Sequence, residues 1–246
     1  MVDPEGVRAA RLPGSTMGEG RIETIVLPLG DLRLEADLGV PSQGEPAGVV
    51  VFCHGSGSSR FSPRNRSVAR VLREAGLVTL LLDLLTPAEE ELDRLTGELR
   101  FNVQLLAERV AATVDWLGTS GVVPPLPIGL FGSSTGAAAA LVAAAARPET
   151  VAAVVSRGGR PDLAGDALAM VQAPTLLLVG EKDPEVVMLN YDALQRLYSP
   201  SDLRIIPGAS HLFREEGTLE EVARQAAAFF GEHLGAAAGQ APSAPA

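Results

Sequence analysis

Six short, almost uninterrupted apolar runs punctuate the chain from residue 48 onward, and a segment of helical character separates each from the next. The runs are GVVVFC (48–53), LVTLLLD (77–83), PIGLF (127–131), VAAVVS (151–156), TLLLVG (175–180) and LRIIP (203–207). Each has the length of a strand, and near-continuous apolarity marks a strand covered on both faces. SVARVLREAG, FNVQLLAERVAATVDWLG, the alanine-rich stretch after Thr135 and TLEEVARQAAAFFGEHL instead space apolar residues three and four apart, as a helix with one buried stripe does. Strand and helix in alternation predict a mostly parallel sheet with helices on both faces. Ahead of the runs, IETIVLP and LRLEADL flank Leu29-Gly30-Asp31 as two alternating segments around a tight turn. This predicts an N-terminal antiparallel hairpin and an α/β domain with an eight-stranded sheet.

The chain has 246 residues, 46% hydrophobic and 20% charged, enough to bury a full core in one domain. Residues 1–20 lack apolar periodicity and 236–246 are rich in Ala, Pro, Gly and Ser, so a single domain is expected over 21–235 between a flexible N-terminal segment and a disordered tail. Twenty Lys and Arg against 30 Asp and Glu give a formal charge of −10, which repels a phosphate backbone, and 4% aromatic residues supply no stacking platform. Nucleic acid is not an expected partner. With Cys53 the single cysteine there is no internal disulfide, and no Cys/His cluster has zinc-ligand spacing. The first twenty residues carry no apolar core of a signal peptide, and the longest small-apolar run, Gly136 to Ala146, is mostly alanine and falls short of the roughly 20 residues a bilayer needs. A cytoplasmic location without a membrane partner is the expectation. The acidic run AEEELDRL (88–95) reads as a solvated helix face or loop rather than a metal site. Nothing in the sequence sets an oligomeric state.

In parallel sheets of this kind chemistry is found at the carboxyl ends of the strands. Directly after PIGLF and directly before a helix of small residues stands Gly132-Ser133-Ser134-Thr135-Gly136. This is a G-x-S-x-G nucleophile elbow in the context the motif requires, and only Ser134 has glycine on both sides at the correct spacing. A serine hydroxyl needs a base. Of His54, His211 and His233, the best placed is His211, in the loop after LRIIP. His233 sits near the end of the last helix, and His54 is assigned a loop-shaping hydrogen bond. An acid that orients the imidazole is expected at a strand end between nucleophile and base. Asp183, in Gly180-Glu181-Lys182-Asp183-Pro184, fits, with Glu181 a competitor and Asp162 and Asp166 also in the interval. The order Ser, Asp, His is that of an α/β hydrolase.

Two backbone N–H groups must meet the oxyanion of the tetrahedral intermediate. Thr135 supplies one, and Ser56, in His54-Gly55-Ser56-Gly57-Ser58-Ser59, is the expected second, with Gly57 the alternative. Cys53, at the strand end before this loop, reads as a buried inert thiol. Arg60, Arg64, Arg66, Arg157 and Arg160 lie on the same edge. Either they pair with carboxylates such as Asp83 or Asp162, or one of them, Arg60 or Arg157, binds an anionic group of the substrate.

HGSGSSRFSPRNRSVARVL, GLFGSSTGAAAAL, AAVVSRGGRPDLAG, APTLLLVGEKDP and IPGASHLF together resemble the dienelactone-hydrolase branch of the α/β-hydrolase superfamily, over about residues 22–234. They are most similar to its bacterial members encoded with, or fused to, phosphoribosyltransferase domains, although this chain contains no such domain. The resemblance implies Ser134, Asp183 and His211 as the triad. Dienelactone hydrolases proper carry cysteine at the elbow, so Ser134 makes dienelactone itself an unexpected substrate.

The expected activity is hydrolysis of a small carboxylic ester, thioester or lactone through an acyl-enzyme on Ser134, without metal or organic cofactor. The alternatives are an acyltransferase using the same triad and a non-catalytic binding or partner module on the same fold. The short link between Arg157 and Ala173 predicts little lid.

Overall fold

The computed structural model describes residues 20–238. The expectations about flexible ends fall mainly on residues 1–19 and 239–246, which lie outside the described residues. Eight strands form one sheet in the order β1-β2-β4-β3-β5-β6-β7-β8. They are β1 (Ile22–Leu29), β2 (Leu32–Gly39), β3 (Val49–Cys53), β4 (Val78–Leu82), β5 (Ile128–Ser133), β6 (Val151–Arg157), β7 (Thr175–Gly180) and β8 (Ser201–Ile206). The hairpin pairs Ile22 with Gly39 and Leu29 with Leu32, and Gly30 turns it at φ +65°, a conformation open to glycine without a Cβ penalty. β2 also runs antiparallel to β4, and every pairing from β4 to β8 is parallel.

Successive side chains of a strand point to opposite faces, and this alternation divides the core. Val50 and Phe52 of β3 and Phe131 of β5 face α1 (Pro63–Glu74) and α6 (Thr218–Ala238), where Val68, Leu72, Val222 and Phe230 are buried against them. Val49, Val51 and Leu130 face the other way, onto Leu106, Val110 and Val114 of α3 (Val103–Ser120) and Leu141 of α4 (Thr135–Ala146). α5 (Pro184–Arg196) joins that second layer through Ala193.

α2 (Pro87–Thr96) fills the acidic run, and its pattern is inverted: Asp93 is buried, whereas Leu92 and Leu95 are exposed. It starts on a capping box in which the Thr86 hydroxyl accepts from Glu89 N–H and the Glu89 carboxylate accepts from Thr86 N–H. Glu89 also binds Arg109 of α3 at 2.5 Å, and Asp93 binds Arg100 at 2.6 Å. The acidic run is thus partly spent on ion pairs rather than wholly solvated. No helix among the described residues is long and apolar enough to cross a membrane. No cluster of three or more His, Cys, Asp or Glu among them could hold a metal ion.

Candidate active site

β5 passes into α4 through a single residue, and that residue is Ser134, at φ +50° and ψ −123°. A non-glycine residue in that region is strained and persists only when its surroundings hold it there. Both neighbouring glycines are sterically required. A Cβ on Gly132 would lie 2.3 Å from Ala137 Cα, and one on Gly136 would lie 2.3 Å from the carbonyl oxygens of Cys53 and His54. The two serines of the motif separate cleanly. Ser133 is buried and donates its hydroxyl to Asn65 Oδ1 at 3.0 Å, whereas Ser134 is half-buried at the carboxyl edge of the sheet.

His211 follows β8 in a loop fastened from two sides. Glu215 accepts both the N–H and the hydroxyl of Ser210, at 2.9 and 3.2 Å, and these bonds hold its carboxyl below the usual carboxylate range. Glu181 accepts Gly208 N–H at 2.8 Å. Asp183 occupies the position just before α5 without a side-chain capping bond, and its Oδ2 instead lies 2.5 Å from His211 Nδ1. A carboxylate only accepts, so Nδ1 carries the proton and Nε2 remains as the basic nitrogen. The turn after β6 connects this pair to the elbow. Ser134 N–H donates to Arg157 O at 3.3 Å and Arg160 N–H to Ser134 O at 3.1 Å, while a Cβ on Gly158 would stand 3.7 Å from His211 Nδ1. Ser134 and His211 share no hydrogen bond in the structure, and such nucleophile–base contacts often tighten only in the complex with substrate.

The competitors have other occupations. Glu181 braces the histidine loop, Asp162 pairs with Arg160 at 2.7 Å, and Asp166 with Arg196 at 3.2 Å. His54 accepts Leu84 N–H on Nε2 at 3.0 Å, so its Nδ1–H donates to Gly55 O at 2.9 Å, and burial lowers its pKa. It shapes the loop, as expected. His233 packs against the edge of Phe229 on α6. Burial pushes the Cys53 thiol up to about 12, leaving it unreactive at neutral pH.

The two expected oxyanion donors stand in different environments. Thr135 N–H, the first of α4, has no backbone acceptor among the described residues. Ser56 N–H is not free: it donates to Thr135 Oγ1 at 2.8 Å. The loop approaches the nucleophile closely, since a Cβ on Gly55 would lie 3.1 Å from Ser134 Cβ. On its other side a cavity of about 560 Å³ opens between residues 54–59 and the segment bearing Leu85, Glu90, Arg94 and Arg100.

Of the two arginines considered for substrate binding, Arg60 meets carboxylates and Arg157 is buried without one. Arg60 is tied to Asp83, to Glu35 at 2.6 Å and to Asp37 at 3.4 Å, with its side chain 12% exposed. Its charge is used in holding the loop to β2 and β4. Arg157 is 7% exposed and turned beneath the elbow, with Nη2 3.4 Å from Asn65 Oδ1 and its guanidinium 5.8 Å from the centre of the Phe213 ring. Burial, reinforced by the nearby Arg64, lowers its pKa to about 10. Pairing with a carboxylate holds for Arg60, Arg66 and Arg160 but not for Arg157, which has no carboxylate partner among the described residues. Sequence reasoning missed Arg100, which the cavity wall presents on its Asp93 anchor. A guanidinium some 45 residues from the oxyanion loop carries no local signal of that contact.

The model of the dienelactone hydrolase family matches residues 34–233, which include Ser134, Asp183 and His211. The chain belongs to this family. A dienelactone hydrolase from Anabaena variabilis has a crystal structure 52% identical to this family member, at a TM-score of 0.86, covering 88% of this chain and 100% of that one. A Mycobacterium tuberculosis protein provisionally named a phosphoribosyl transferase is 52% identical over 214 residues, 87% of this chain but 47% of the longer relative. The chain therefore spans about half the length of that protein. A Bradyrhizobium protein provisionally named a 2-oxo-3-(5-oxofuran-2-ylidene)propanoate lactonase is 29% identical over 222 residues, 81% of this chain and 82% of that protein.

Proposed function

We propose that this dienelactone hydrolase family member is a serine hydrolase of compact carboxylic esters, thioesters or lactones, working through an acyl-enzyme on Ser134. The observation that carries the reading is the 2.5 Å Asp183–His211 pair, joined through the Gly158 turn to the strained Ser134. Ser134 Oγ adds to the acyl carbon while His211 Nε2 takes its proton, and the carbonyl electron pair moves onto oxygen. When that pair returns, the bond to the leaving alcohol or thiol breaks and the leaving group takes the proton from His211. Water, deprotonated by the same nitrogen, then frees the acid and Ser134. Asp183 holds the tautomer and stabilises the imidazolium. The names of the Anabaena and Bradyrhizobium relatives, a dienelactone hydrolase and a lactonase, support acyl chemistry. The phosphoribosyl transferase name belongs to a protein of which this chain matches 47%.

A fluorophosphonate probe tests the assignment. Stoichiometric labelling of Ser134, together with turnover of a short activated ester, supports it. Neither labelling nor turnover in the folded protein favours a binding or partner module. Products carrying an added alcohol in preference to water identify an acyltransferase.

A further inference from the structure

The Ser56–Thr135 contact changes how the oxyanion can be held. The Ser56 N–H points at a hydroxyl oxygen 2.8 Å away, not at open space beside the nucleophile. The loop that aims it is fixed. Ser58 N–H closes a turn onto Gly55 O at 3.1 Å, Gly57 takes φ +67° within that turn, and Gly55 packs against Ser134. Thr135 is equally constrained, 4% exposed at the first position of α4. Its Oγ1 accepts from Ser56, and the hydroxyl proton meets no acceptor among the described residues. Its backbone N–H is also without a backbone acceptor. Thr135 thus carries two unused donors beside the reacting serine, and its hydroxyl already accepts a hydrogen bond, which strengthens it as a donor.

We propose that the Thr135 hydroxyl is a catalytic oxyanion donor. In this arrangement, which rests on the reading of Ser134 as nucleophile, the carbonyl oxygen accepts from Thr135 N–H and Thr135 O–H, and Ser56 N–H acts one bond further back by polarising that hydroxyl. As Ser134 Oγ bonds to the acyl carbon and its proton passes to His211, the displaced carbonyl electron pair is met by both donors of one residue. The opposing arrangement has the threonine side chain swing away and Ser56 N–H bind the oxygen directly, with the hydroxyl only occupying the hole at rest.

The two differ in outcome. Thr135→Val keeps the bulk and removes the donor. The expected loss is about 10²–10³-fold in kcat with KM little changed, the scale for deleting one oxyanion donor. Thr135→Ser should stay within a few-fold of the parent. Thr135→Ala is the second donorless variant in case the valine does not fold. A thionoester of the same acid adds a readout that a packing role would not move. Sulfur is a weak hydrogen-bond acceptor, so the parent's preference for the oxygen ester should shrink in Thr135→Val or Thr135→Ala. Donorless variants as fast as the parent or faster, or an unchanged oxygen-to-sulfur preference, overturn the proposal. Ester turnover and Ser134 labelling in the parent are measured first. Their absence defeats the reading of Ser134, whereas an active parent with equally active Thr135 variants defeats only the hydroxyl's role.

Discussion

Two adjacent serines with opposite environments make the elbow testable residue by residue. Ser134→Ala removes one half-buried oxygen and should abolish turnover of an activated ester while leaving the melting temperature nearly unchanged. Retained turnover would move the nucleophile elsewhere. Ser133→Ala removes the buried hydroxyl that donates to Asn65. It should cost about 1 kcal/mol of stability, the net worth of an ordinary hydrogen bond, and leave kcat within a few-fold. The acid is separable in the same way. Asp183→Asn loses the acceptor that fixes Nδ1–H and should lower kcat by up to about 10⁴-fold, as in other triads. Glu181→Gln touches only the Gly208 contact and should be nearly silent in kcat. An inert Asp183→Asn alongside a damaged Glu181→Gln would reverse the assignment. These roles were legible because the motif lies where a strand turns into a helix, and the acid and base each follow a strand. The Ser56–Thr135 bond was not legible, because residues 79 positions apart meet only once the sheet is assembled.

At the scale of elements, all eight strands and four of the six helices stand where the apolar pattern puts them, and the two that escape have physical reasons. α5 buries Val186, Asn190 and Ala193, a stripe interrupted by a polar residue that donates to Gly159 O and Val186 O. α2 turns its acid inward and its leucines outward, so a search for an apolar face finds nothing pointing the correct way. The partners of the arginines were hidden in the sequence for a related reason. Position at the sheet edge was readable, but whether a guanidinium meets three carboxylates, as Arg60 does, or none, as Arg157 does, depends on neighbours from distant strands.

The loop after β3 supplies a prediction at this scale. His54 is neutral and buried, accepting Leu84 N–H, with its pKa below the ordinary value of about 6.5. Below that pH the unfolded chain takes up a proton that the folded one resists, so stability falls as pH drops from 6.5 towards the folded-state pKa. His54→Leu leaves Leu84 N–H without its acceptor and should cost about 1–3 kcal/mol at pH 7. It should also remove this part of the acid-side decline in urea unfolding. A variant whose stability falls with pH as steeply as the parent's would show that the decline comes from other groups.

For the molecule as a whole, access to the site depends on what covers it. The link after β6 builds only short 3-10 turns from Pro161 to Met170, and the cover over the cavity comes instead from α2 and the turn after it. Leu92, Leu95 and Phe101 are exposed on that cover, which by itself resembles a lid awaiting a lipid surface. Its anchoring argues otherwise. Glu89 is bound to the buried Arg109, which also donates to Leu84 O at 2.6 Å. Asp93 accepts Leu99 N–H, Arg100 N–H and Arg100 Nε–H. The Asp93 bonds hold α2 and its turn together as one unit, and opening that unit as a rigid lid would break the charge-assisted Glu89–Arg109 bonds, each worth more than a neutral one. The cavity, lined by the loop after β3 but not by Ser134, Asp183 or His211, should therefore have nearly the same shape in water as at an interface. Rates measured along a series of p-nitrophenyl esters should fall beyond short chains, with no jump where a long ester passes its solubility limit. Arg109→Met, which frees α2 from α3, should alter chain-length preference more than it alters the rate on acetate. A sharp rise at the solubility limit in the parent protein would mean that the cover opens despite its ion pairs.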